Sequence, residues 1–567
     1  MMIDAGRTGG LGLLFAAGLG LCVSPAVAQY DAIVGGGDEA EVAGTVLPPA
    51  PDAWWRDAVF YQIFVRSFAD STEGPLAGDG IGDLRGLIER LDYLNDGDPE
   101  TTDDLGVTAL WLLPINPSPS YHGYDVTDYK DINPQYGTLE DWDALVEACD
   151  ARGIRIVLDL VINHASWEHP WFVEATDAAG DKHDWFVWTD ARPEYRGPWG
   201  QPVWHDHRKD DAGRYFYGVF WHGMPDLNHR NADVRDAVYD ASAFWMERGA
   251  GGFRLDAVKH LIEDGPTQEN TPETVQWLKD YNAFLHGLST PSFTVGEVWS
   301  GPAEIESYIS GSMPAVDSAF DFPLSGAIVW GLRDNDYGRV RREAIASWER
   351  YRGRNSTFVS NHDMDRAFSV WERDFDKARS AAQVLLLLPG VPFIYYGEEI
   401  GMQGTGDHRN LRRPMQWTAD PIRTGFSTGE PWLGVERDTA LINVERQDRR
   451  RDSLLAQYRD LIQLRRSHPA LGAGDFTPIE VEDDRVFAFV RSAEVDGVTQ
   501  RLLCVINLSN DAVRGFKLDA GALGVDHTDE GLGELLGDHR VRPPSRTGRW
   551  EPFPALKRST AYVIELP

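Results

Sequence analysis

The sequence predicts an α/β fold, a (β/α)₈ TIM barrel with an excursion domain after its third strand and a C-terminal antiparallel β-sandwich domain. Three observations indicate this fold class. Eight short β-rich runs recur along the chain, and segments of helical period separate them. A long stretch without helical period interrupts the series after the third run. After Pro469 the pattern changes to alternating strands, which is typical of an all-β domain.

The eight β-rich runs are spaced as repeated strand–helix units require. A helix with Leu84, Leu87 and Leu91 on one face follows the first run, and another amphipathic helix, 454–464, ends the series. A doubly wound sheet is the alternative, but such a sheet seldom needs eight strands of this kind. The predicted barrel strands are Val59–Val65, Ala109–Leu113, Arg155–Val161, Gly252–Asp256, Thr294–Glu297, Ala319–Phe322, Thr357–Ser360 and Phe393–Tyr396.

Two further domains are predicted beside the barrel, which covers residues 54–163 and 232–470. The excursion domain, residues 164–231, is dense in Trp, His, Asp and Gly and is expected to lie over the mouth of the barrel. The C-terminal domain covers residues 475–567. Its predicted strands are Val486–Arg491, Leu502–Asn507 and Ala561–Leu566.

The composition is that of an acidic globular protein. Of the 567 residues, 42% are hydrophobic and 25% charged, and 89 Asp and Glu outnumber 54 Lys and Arg, which gives a net charge of −35. This charge argues against a nucleic-acid partner, because phosphate backbones require an excess of Lys and Arg. It suits a neutral substrate. The 20 Trp, 19 Tyr and 24 Phe provide flat faces that can stack on sugar rings.

The N-terminus has the pattern of an export signal. Leu11–Val23 is an apolar run too short to span a membrane, and Ala26–Ala28 has the small-x-small pattern of a signal-peptidase site. We therefore predict a signal peptide at 1–28, a flexible lead-in at 29–53 and a secreted or periplasmic protein with no membrane span. A lipoprotein anchor at Cys22 is the second interpretation, because the bulky residue before it fits such a site poorly.

Three acidic residues stand at the ends of predicted barrel strands. Asp256 ends the fourth strand, Glu297 ends the fifth, and Asp363 follows the seventh. Catalytic groups of barrel enzymes lie at the C-terminal ends of the strands, so these acids are expected to converge. Cleavage of a glycosidic bond needs such a set: an ionised carboxylate, a protonated acid and a group that stabilises positive charge. One such acid is usually a helix cap or an ion-pair partner, but three in order favour catalysis.

The residues around these acids indicate how their roles divide. Arg254 lies two residues before Asp256 on the same face of the strand, where it can keep Asp256 ionised. Glu297 has no equally close cation in the sequence, so its pKa is expected to stay high enough for a proton donor.

Four sequence blocks at these strand ends carry a resemblance to a known family. They are residues 159–164, 254–260, 296–299 and 360–363, and further marks lie at 106–111, 224–228 and 390–398. Together they resemble the signature regions of the alpha-amylase family, glycoside hydrolase family 13, over residues 54–567. The resemblance implies hydrolysis of α-glucosidic bonds with retention of configuration, for which the acid and the nucleophile lie about 5–5.5 Å apart.

The resemblance also implies a role for each residue of these blocks. Asp256 is the nucleophile that forms a covalent glycosyl intermediate, Glu297 is the general acid and then the base, and Asp363 stabilises the transition state. Arg254 positions Asp256. The residues that bind the sugar of the cleaved subsite are Tyr124, Asp125, His164 and His362. The alternative interpretation of the two histidines is that they only cap strands in the core.

Calcium is the cofactor that the resemblance implies. The segment Lys259-His260 resembles one of alpha-amylases in which the lysine contacts the sugar beyond the scissile bond. By the same resemblance, the carbonyl of His260 and the side chain of Asn163 would ligate Ca²⁺, which prefers oxygen ligands. A second calcium site is also predicted, in a segment that resembles the Asp-rich first loop of oligo-1,6-glucosidases. The alternative interpretation of that segment is a solvated acidic turn. That second predicted site consists of Asp70, Asp79, the carbonyl of Ile81 and Asp83.

Within the family, the chain resembles secreted alpha-amylases intermediate between the oligo-1,6-glucosidase and neopullulanase groups. Met224 and the segment Lys259-His260 favour this interpretation, and so does export, because polymeric substrate lies outside the cell. Arg412 favours a different member. It resembles an arginine of alpha-glucosidases that helps bind the non-reducing end, and it could pair with Asp125 to close the cleft.

The predicted activity is hydrolysis of internal bonds in an α-1,4-glucan or a maltooligosaccharide by a monomer. The alternatives are an exo-acting alpha-glucosidase or oligo-1,6-glucosidase, a neopullulanase-like enzyme and, third, a trehalose synthase. A catalytically inactive binding subunit is disfavoured because all three acids are present. Residues 475–567 could bind starch, although covering the flank of the barrel is the preferred interpretation.

Overall fold

The computed structural model describes residues 53–207, 214–436, 438–526, 532–537, 539–545 and 548–567. The predicted signal peptide, Cys22 and the predicted lead-in up to residue 52 lie outside these ranges. Within them, no helix is both long enough and apolar enough to cross a membrane.

Strands and helices alternate along most of the described chain, and strands dominate its last part. The strands are β1 Phe60–Ile63, β2 Ala109–Leu112, β3 Arg155–Leu160, β4 Trp188–Thr189, β5 Trp204–Asp206, β6 Tyr215–Tyr217, β7 Gly252–Leu255, β8 Phe293–Gly296, β9 Ser318–Ala319, β10 Ser356–Phe358, β11 Val391–Tyr395, β12 Asp475–Ile479, β13 Val486–Val495, β14 Val498–Asn507, β15 Leu518–Asp519, β16 Arg549–Trp550 and β17 Thr560–Leu566. The α-helices are Val65–Phe68, Leu84–Glu89, Leu91–Leu94, Leu139–Asp150, Pro170–Ala175, Ala232–Glu247, Pro272–His286, Pro302–Ile309, Phe322–Asp334, Tyr337–Tyr351, Ala367–Val370, Phe375–Leu387, His408–Leu411, Val444–Asp448 and Leu454–Ser467.

Eight parallel strands form the barrel, in the order β10-β11-β1-β2-β3-β7-β8-β9. A parallel bridge between Phe320 and Ser356 joins the two outer strands. The predicted (β/α)₈ barrel is confirmed, and every predicted run overlaps an observed strand. The sixth barrel strand, β9, ends earlier than predicted, because Asp321 caps the helix that begins at Phe322 by accepting a hydrogen bond from the N–H of Leu324.

Aromatic side chains fill the interior of the barrel. The rings of Phe60 and Phe393 stack with their centroids 4.3 Å apart. Phe320 packs edge-on against Phe393 at 5.0 Å and tilted against Trp111 at 5.3 Å. All four belong to one buried cluster. Because this interior is packed rather than hollow, buried polar side chains gather above it, at the C-terminal ends of the strands.

The excursion domain joins β3 to the helix Ala232–Glu247. Its three short strands form an antiparallel sheet in the order β4-β6-β5. A bridge between His164 and Asp226 connects the start of the domain to its end. The hydroxyl of Tyr129 donates to the carbonyl oxygen of His164 at 2.8 Å, which holds the exit from β3 against the barrel. These contacts return the chain to the barrel close to the point where it left.

The C-terminal domain is built on an antiparallel sheet in the order β12-β13-β14-β17, with β15 and β16 as a second, two-stranded sheet. Alternate residues of β13 face different cores, as the two-residue period of a strand requires. Phe487 and Phe489 belong to the apolar core of the barrel, whereas Val486 and Ala488 belong to a separate core of the domain. One face of the sheet therefore packs on the barrel helices.

Candidate active site

Arg254 is the centre of a buried cluster of three carboxylates at the C-terminal ends of β3, β7 and β8. Its Nη1 donates to Asp256 Oδ1 at 2.6 Å and to Asp159 Oδ1 at 2.8 Å, and its Nη2 lies 2.7 Å from Glu297 Oε2. The strand register places Asp159 directly beside Arg254. Asp256 follows two residues later on the same face, so its side chain reaches the same guanidinium. The predicted contact between Arg254 and Asp256 is present.

One cation among three buried carboxylates leaves this cluster short of positive charge. Burial raises the pKa of Asp256 to about 6, against the opposing effect of Arg254. Burial also raises the pKa of Glu297 to about 7, again against Arg254. The expectation that Glu297 has no close cation is wrong, because Arg254 contacts it directly. Its pKa is high because burial and the neighbouring carboxylates of Asp256 and Asp363 outweigh that cation.

Asp363 lies in a more cationic environment than the other two acids. Arg412 Nη2 donates to its Oδ1 at 2.8 Å, His408 Nδ1 lies 3.4 Å from the same oxygen, and His362 Nε2 lies 3.0 Å from Oδ2. Burial opposes ionisation, but these three neighbours hold the pKa of Asp363 well below its usual range. Burial lowers the pKa of His362 to about 4. At neutral pH we therefore attribute the stabilising charge chiefly to Arg412.

Arg412 does not form the predicted pair with Asp125. Its guanidinium donates to Asp363 instead. Asp125 accepts hydrogen bonds from two neutral donors, the hydroxyl of Ser118 at 2.6 Å and the hydroxyl of Ser120. Each carboxylate thus has its own partner, and the pair that would close the cleft is not formed between these described residues.

Tyr124, His362 and Gln62 form a hydrogen-bonded chain next to the carboxylates. The rings of Tyr124 and His362 are nearly parallel, with centroids 5.6 Å apart, and Tyr124 Oη lies 2.6 Å from His362 Nε2. The same hydroxyl donates to Asp159 Oδ2 at 2.9 Å. The amide nitrogen of Gln62 lies 2.7 Å from His362 Nδ1. Because an amide nitrogen only donates, Nδ1 accepts, and neutral His362 presents its proton on Nε2.

His164 and Lys259, two further predicted sugar ligands, lie at the same end of the barrel. His164 Nε2 donates to the carbonyl oxygen of Tyr124 at 3.0 Å, and burial lowers its pKa to about 3, so the ring is neutral. Lys259 Nζ donates to the carbonyl oxygen of Trp299 at 2.8 Å and lies 2.7 Å from Glu269 Oε2. Both side chains are therefore held in place before any sugar binds.

Asn163 and Asp226 provide unpartnered oxygen atoms where the excursion domain meets the barrel. Asn163 Oδ1 and Asp226 Oδ2 are buried and have no hydrogen-bond partner. Burial, with the charge of Glu263, raises the pKa of Asp226 well above its usual range. A bound cation would satisfy both oxygens, and oxygen donors of this kind suit Ca²⁺. Asn163 therefore suits its predicted role as a calcium ligand, and ligation by the carbonyl of His260 stays a prediction.

The carboxylates of the second predicted calcium site form hydrogen bonds with nearby backbone groups. The carboxylates of Asp70, Asp79 and Asp83 accept hydrogen bonds from backbone N–H groups of their own loop, including that of Ile81, and of the helix Leu84–Glu89. In the described part of the chain, no group of three or more His, Cys, Asp or Glu side chains is placed to hold a metal. Backbone donors contact these oxygens in the structure, and calcium binding at this loop stays a prediction.

The sequence interpretation assigned no role to four residues that contact the site. Asp159 pairs with Arg254, Gln62 selects the tautomer of His362, Glu269 holds Lys259, and His408 reaches Asp363. Asp159 had a usable signal, since it stands near the end of a barrel strand as the three acids do. Glu269 lies on a loop and His408 begins the short helix His408–Leu411, and neither position gives such a signal in the sequence.

Comparison with known proteins agrees with this geometry. The family model for the alpha-amylase catalytic domain matches residues 62–474. The chain belongs to the alpha-amylase family. It is therefore a glycoside hydrolase, and the family resemblance of its sequence blocks is confirmed.

Relatives within the alpha-amylase family have several names. The chain is 36% identical to "Alpha-amylase 3" of Dictyoglomus thermophilum, over 81% of this chain and 86% of that protein. It is 33% identical to "Glucan 1,6-alpha-glucosidase" of Streptococcus pneumoniae, over 81% of this chain and 92% of that protein. The crystal structure of an alpha-amylase from H. orenii matches with a TM-score of 0.78 at 37% identity, covering 90% of this chain and 99% of that one.

In this alpha-amylase family site, hydrogen bonds divide the carboxylate oxygens into two sets. Arg254 occupies Asp256 Oδ1 and Glu297 Oε2, and the N–H of Ala257 also donates to Glu297 Oε2 at 3.0 Å. Ala257 has a left-handed backbone, with φ 49°, at the turn that follows β7. The other oxygens, Asp256 Oδ2 and Glu297 Oε1, remain for the substrate.

Proposed function

We propose that this hydrolase is a secreted enzyme that cleaves internal α-1,4-glucosidic bonds of starch-type glucans and maltooligosaccharides and retains the α configuration. The observation that carries the proposal is that one guanidinium holds two carboxyl groups, Asp256 on Nη1 and Glu297 on Nη2 of Arg254. A retaining glycosidase needs its nucleophile and its acid only about 5–5.5 Å apart. A shared cation supports that short separation.

The mechanism uses Asp256 and Glu297 in opposite protonation states. Asp256 Oδ2 bonds to the anomeric carbon while the bond to the leaving oxygen breaks, and that oxygen takes the proton of Glu297. The ionised Glu297 then removes a proton from water, which attacks the anomeric carbon and releases Asp256. Asp363, kept ionised beside Arg412, stabilises positive charge on the sugar in both steps.

Internal cleavage requires a cleft that is open on both sides of the scissile bond. The separate partners of Asp125 and Arg412 support an open donor side. On the other side, Lys259 is buried and held by Glu269, where it can meet the leaving sugar. The export pattern of residues 1–28 supports action on polymer outside the cell. The similarity to two proteins named alpha-amylase agrees with this assignment.

An exo-acting glucosidase is the second candidate function. His408 and Arg412 both reach the same oxygen of Asp363. Side chains that close the cleft at that position would favour binding of a terminal sugar. The similarity to a glucan 1,6-alpha-glucosidase supports the same candidate.

A blocked substrate separates the two candidates. The test uses a maltooligosaccharide with a chemically blocked non-reducing end and a chromophore at the other end, with the unblocked compound as control. An internal-cleaving enzyme cuts both compounds, and starch loses viscosity before much glucose appears. Cleavage of the unblocked compound alone, with fast release of glucose, would establish the exo-acting candidate. Proton NMR of the first product reports the configuration, and an initial β anomer would contradict the double displacement.

We further propose that the enzyme binds Ca²⁺ through Asn163 Oδ1 and the carbonyl of His260, close to Asp226. The buried oxygens of Asn163 and Asp226 that lack donors support this proposal. The ion would supply a structural link between the end of β3 and the turn after β7.

A further inference from the structure

Three exposed tryptophans distinguish the excursion domain from the rest of the described chain. Trp167 and Trp199 are each 44% exposed and Trp221 is 42% exposed. Among the described residues, no tryptophan outside this domain is comparably exposed. A folded protein usually buries rings of this size, so a group of exposed ones indicates a surface that meets a ligand or a partner.

A pocket of about 610 Å³ opens beside one of these tryptophans. Trp167 lines it together with the polar side chains of Glu168, Arg192, Asp206 and His222. Its volume is typical of a site that encloses a small organic ligand. The lining combines a flat aromatic face with both acceptors and donors of hydrogen bonds, which is the combination that a neutral sugar requires.

Two short chain segments connect the pocket to the region of His164 and Phe220. Trp167 is three residues after His164, and His222 is two residues after Phe220. On the active-site side, the rings of His164 and Phe220 are 5.1 Å apart. On the pocket side, the rings of Trp167 and His222 are 5.3 Å apart. Since three residues of extended chain span at most about 10 Å, the Cα atoms of His164 and Trp167 lie within about that distance of each other.

We propose that this pocket is a second binding site for α-glucan chains, which holds polymeric substrate beside the active site. The proposal rests on the proposed function, because it takes the same substrate class. A glucan chain held in the pocket is delivered to the active site at high local concentration. The pocket therefore favours the cleavage of polymeric substrates. A short oligosaccharide that fills the active site gains nothing from it. Trp199 is different, because its ring lies 5.6 Å from both Phe220 and His260 and so belongs to the active-site cleft.

The test compares two substitutions in the pocket with one beside it. Trp167→Ala and Glu168→Ala change exposed pocket residues, so both variants are expected to fold. Trp221→Ala is the control for loss of an exposed ring beside the pocket, because Trp221 is about equally exposed and contacts His222 but does not itself line the pocket. For each full-length variant, KM and kcat are measured on soluble starch and on a short chromogenic maltooligosaccharide. Retardation in native gels that contain amylopectin gives a readout independent of catalysis.

We expect Trp167→Ala to raise KM for starch at least about fivefold, with kcat on starch and both constants on the short substrate unchanged. Glu168→Ala should shift KM for starch in the same direction, and Trp221→Ala should match the parent enzyme. Equal retardation of all proteins in amylopectin gels would overturn the proposal. So would a parallel loss on the short substrate. If the parent enzyme cleaves no α-glucan, the proposed function fails, while retardation that depends on Trp167 would still establish the pocket.

Discussion

The protonation states of the three acids depend on a few neighbouring residues. Arg254 contacts three carboxylates, so its charge is divided and burial raises the pKa of both Asp256 and Glu297. In the described contacts, Arg412 pairs with no carboxylate other than Asp363, and the pKa of Asp363 is low. Carboxyl groups of the same chemistry thus acquire different roles through their surroundings.

Substitution of any one acid should abolish hydrolysis and keep the fold. Asp256→Asn, Glu297→Gln and Asp363→Asn each remove a role that the other two cannot supply, so turnover should fall by several powers of ten, on the order of 5 kcal/mol of barrier. Hydrolysis of a chromogenic maltooligosaccharide measures the loss, and circular dichroism checks the fold. Near-normal turnover of the Asp256 variant would exclude the covalent mechanism.

The pH dependence of kcat/KM should be a narrow bell. Asp256 must be ionised, so activity should rise as pH increases through about 6. Glu297 must be protonated, so activity should be lost as pH increases through about 7. Initial rates at low substrate concentration across this range give the profile. Full activity well above the pKa of Glu297 would show that another group donates the proton.

Asp159→Asn should move the acidic side of that profile to lower pH. The negative charge of Asp159 now raises the pKa of Asp256, and its removal also leaves Arg254 freer to stabilise the ionised Asp256. Because Asp159 is a positioning residue, its substitution should shift the pH profile more than it lowers the maximum rate. Asp143→Asn is the control, because Asp143 is an exposed acid paired with Arg248 on the outer helices. An unshifted acidic limb would show that Asp159 does not act on Asp256.

At the scale of single elements, the helix Phe375–Leu387 ends against two buried arginines. Arg491 Nη1 donates to the carbonyl oxygen of Leu387 at 2.8 Å, and Arg465 Nη1 donates to that of Leu388 at 2.9 Å. The last carbonyls of a helix lack intrahelical donors, and the helix dipole favours a cation there. Arg491 belongs to β13, so this helix end joins the barrel to the C-terminal sheet.

Arg491→Leu should destabilise the whole enzyme and leave its chemistry intact. Without the guanidinium, several buried carbonyl oxygens lose their hydrogen-bond donors. This loss should cost about 2–4 kcal/mol of the free energy of unfolding. Urea unfolding at neutral pH measures the change, and activity at low temperature should match the parent. Arg514→Leu, on an exposed part of the same domain, should have little effect. Equal destabilisation by both substitutions would contradict a special role for Arg491.

At the scale of the whole molecule, calcium should stabilise the junction of the barrel and the excursion domain. Chelation should lower the melting temperature and added Ca²⁺ should restore it, because the ion binds only the folded state. Asn163→Ala should weaken this response, and Asp79→Ala should weaken it further only if the loop of Asp79 also holds an ion. A melting temperature unchanged by excess chelator, even after long dialysis at raised temperature, would count against the site.

The sequence by itself determined the barrel and the convergence of three acids at one end of it. Strand and helix periods depend only on local spacing, so β1, β2 and the later barrel strands were predictable run by run. The barrel then brings the C-terminal ends of its strands together. Asp256, Glu297 and Asp363 could therefore be placed in one site without coordinates.

Only the tertiary structure decided which charged groups meet. Arg254 on β7 reaches Glu297 at the end of the neighbouring β8 through the strand register, and Arg412 binds Asp363 rather than Asp125 because loops of variable path set that distance. The loop of Asp70 turns its carboxylate toward its own N–H groups, a contact that the order of residues does not show. The raised pKa of Glu297 depends on burial, which is a property of the folded molecule and has no counterpart in the order of residues.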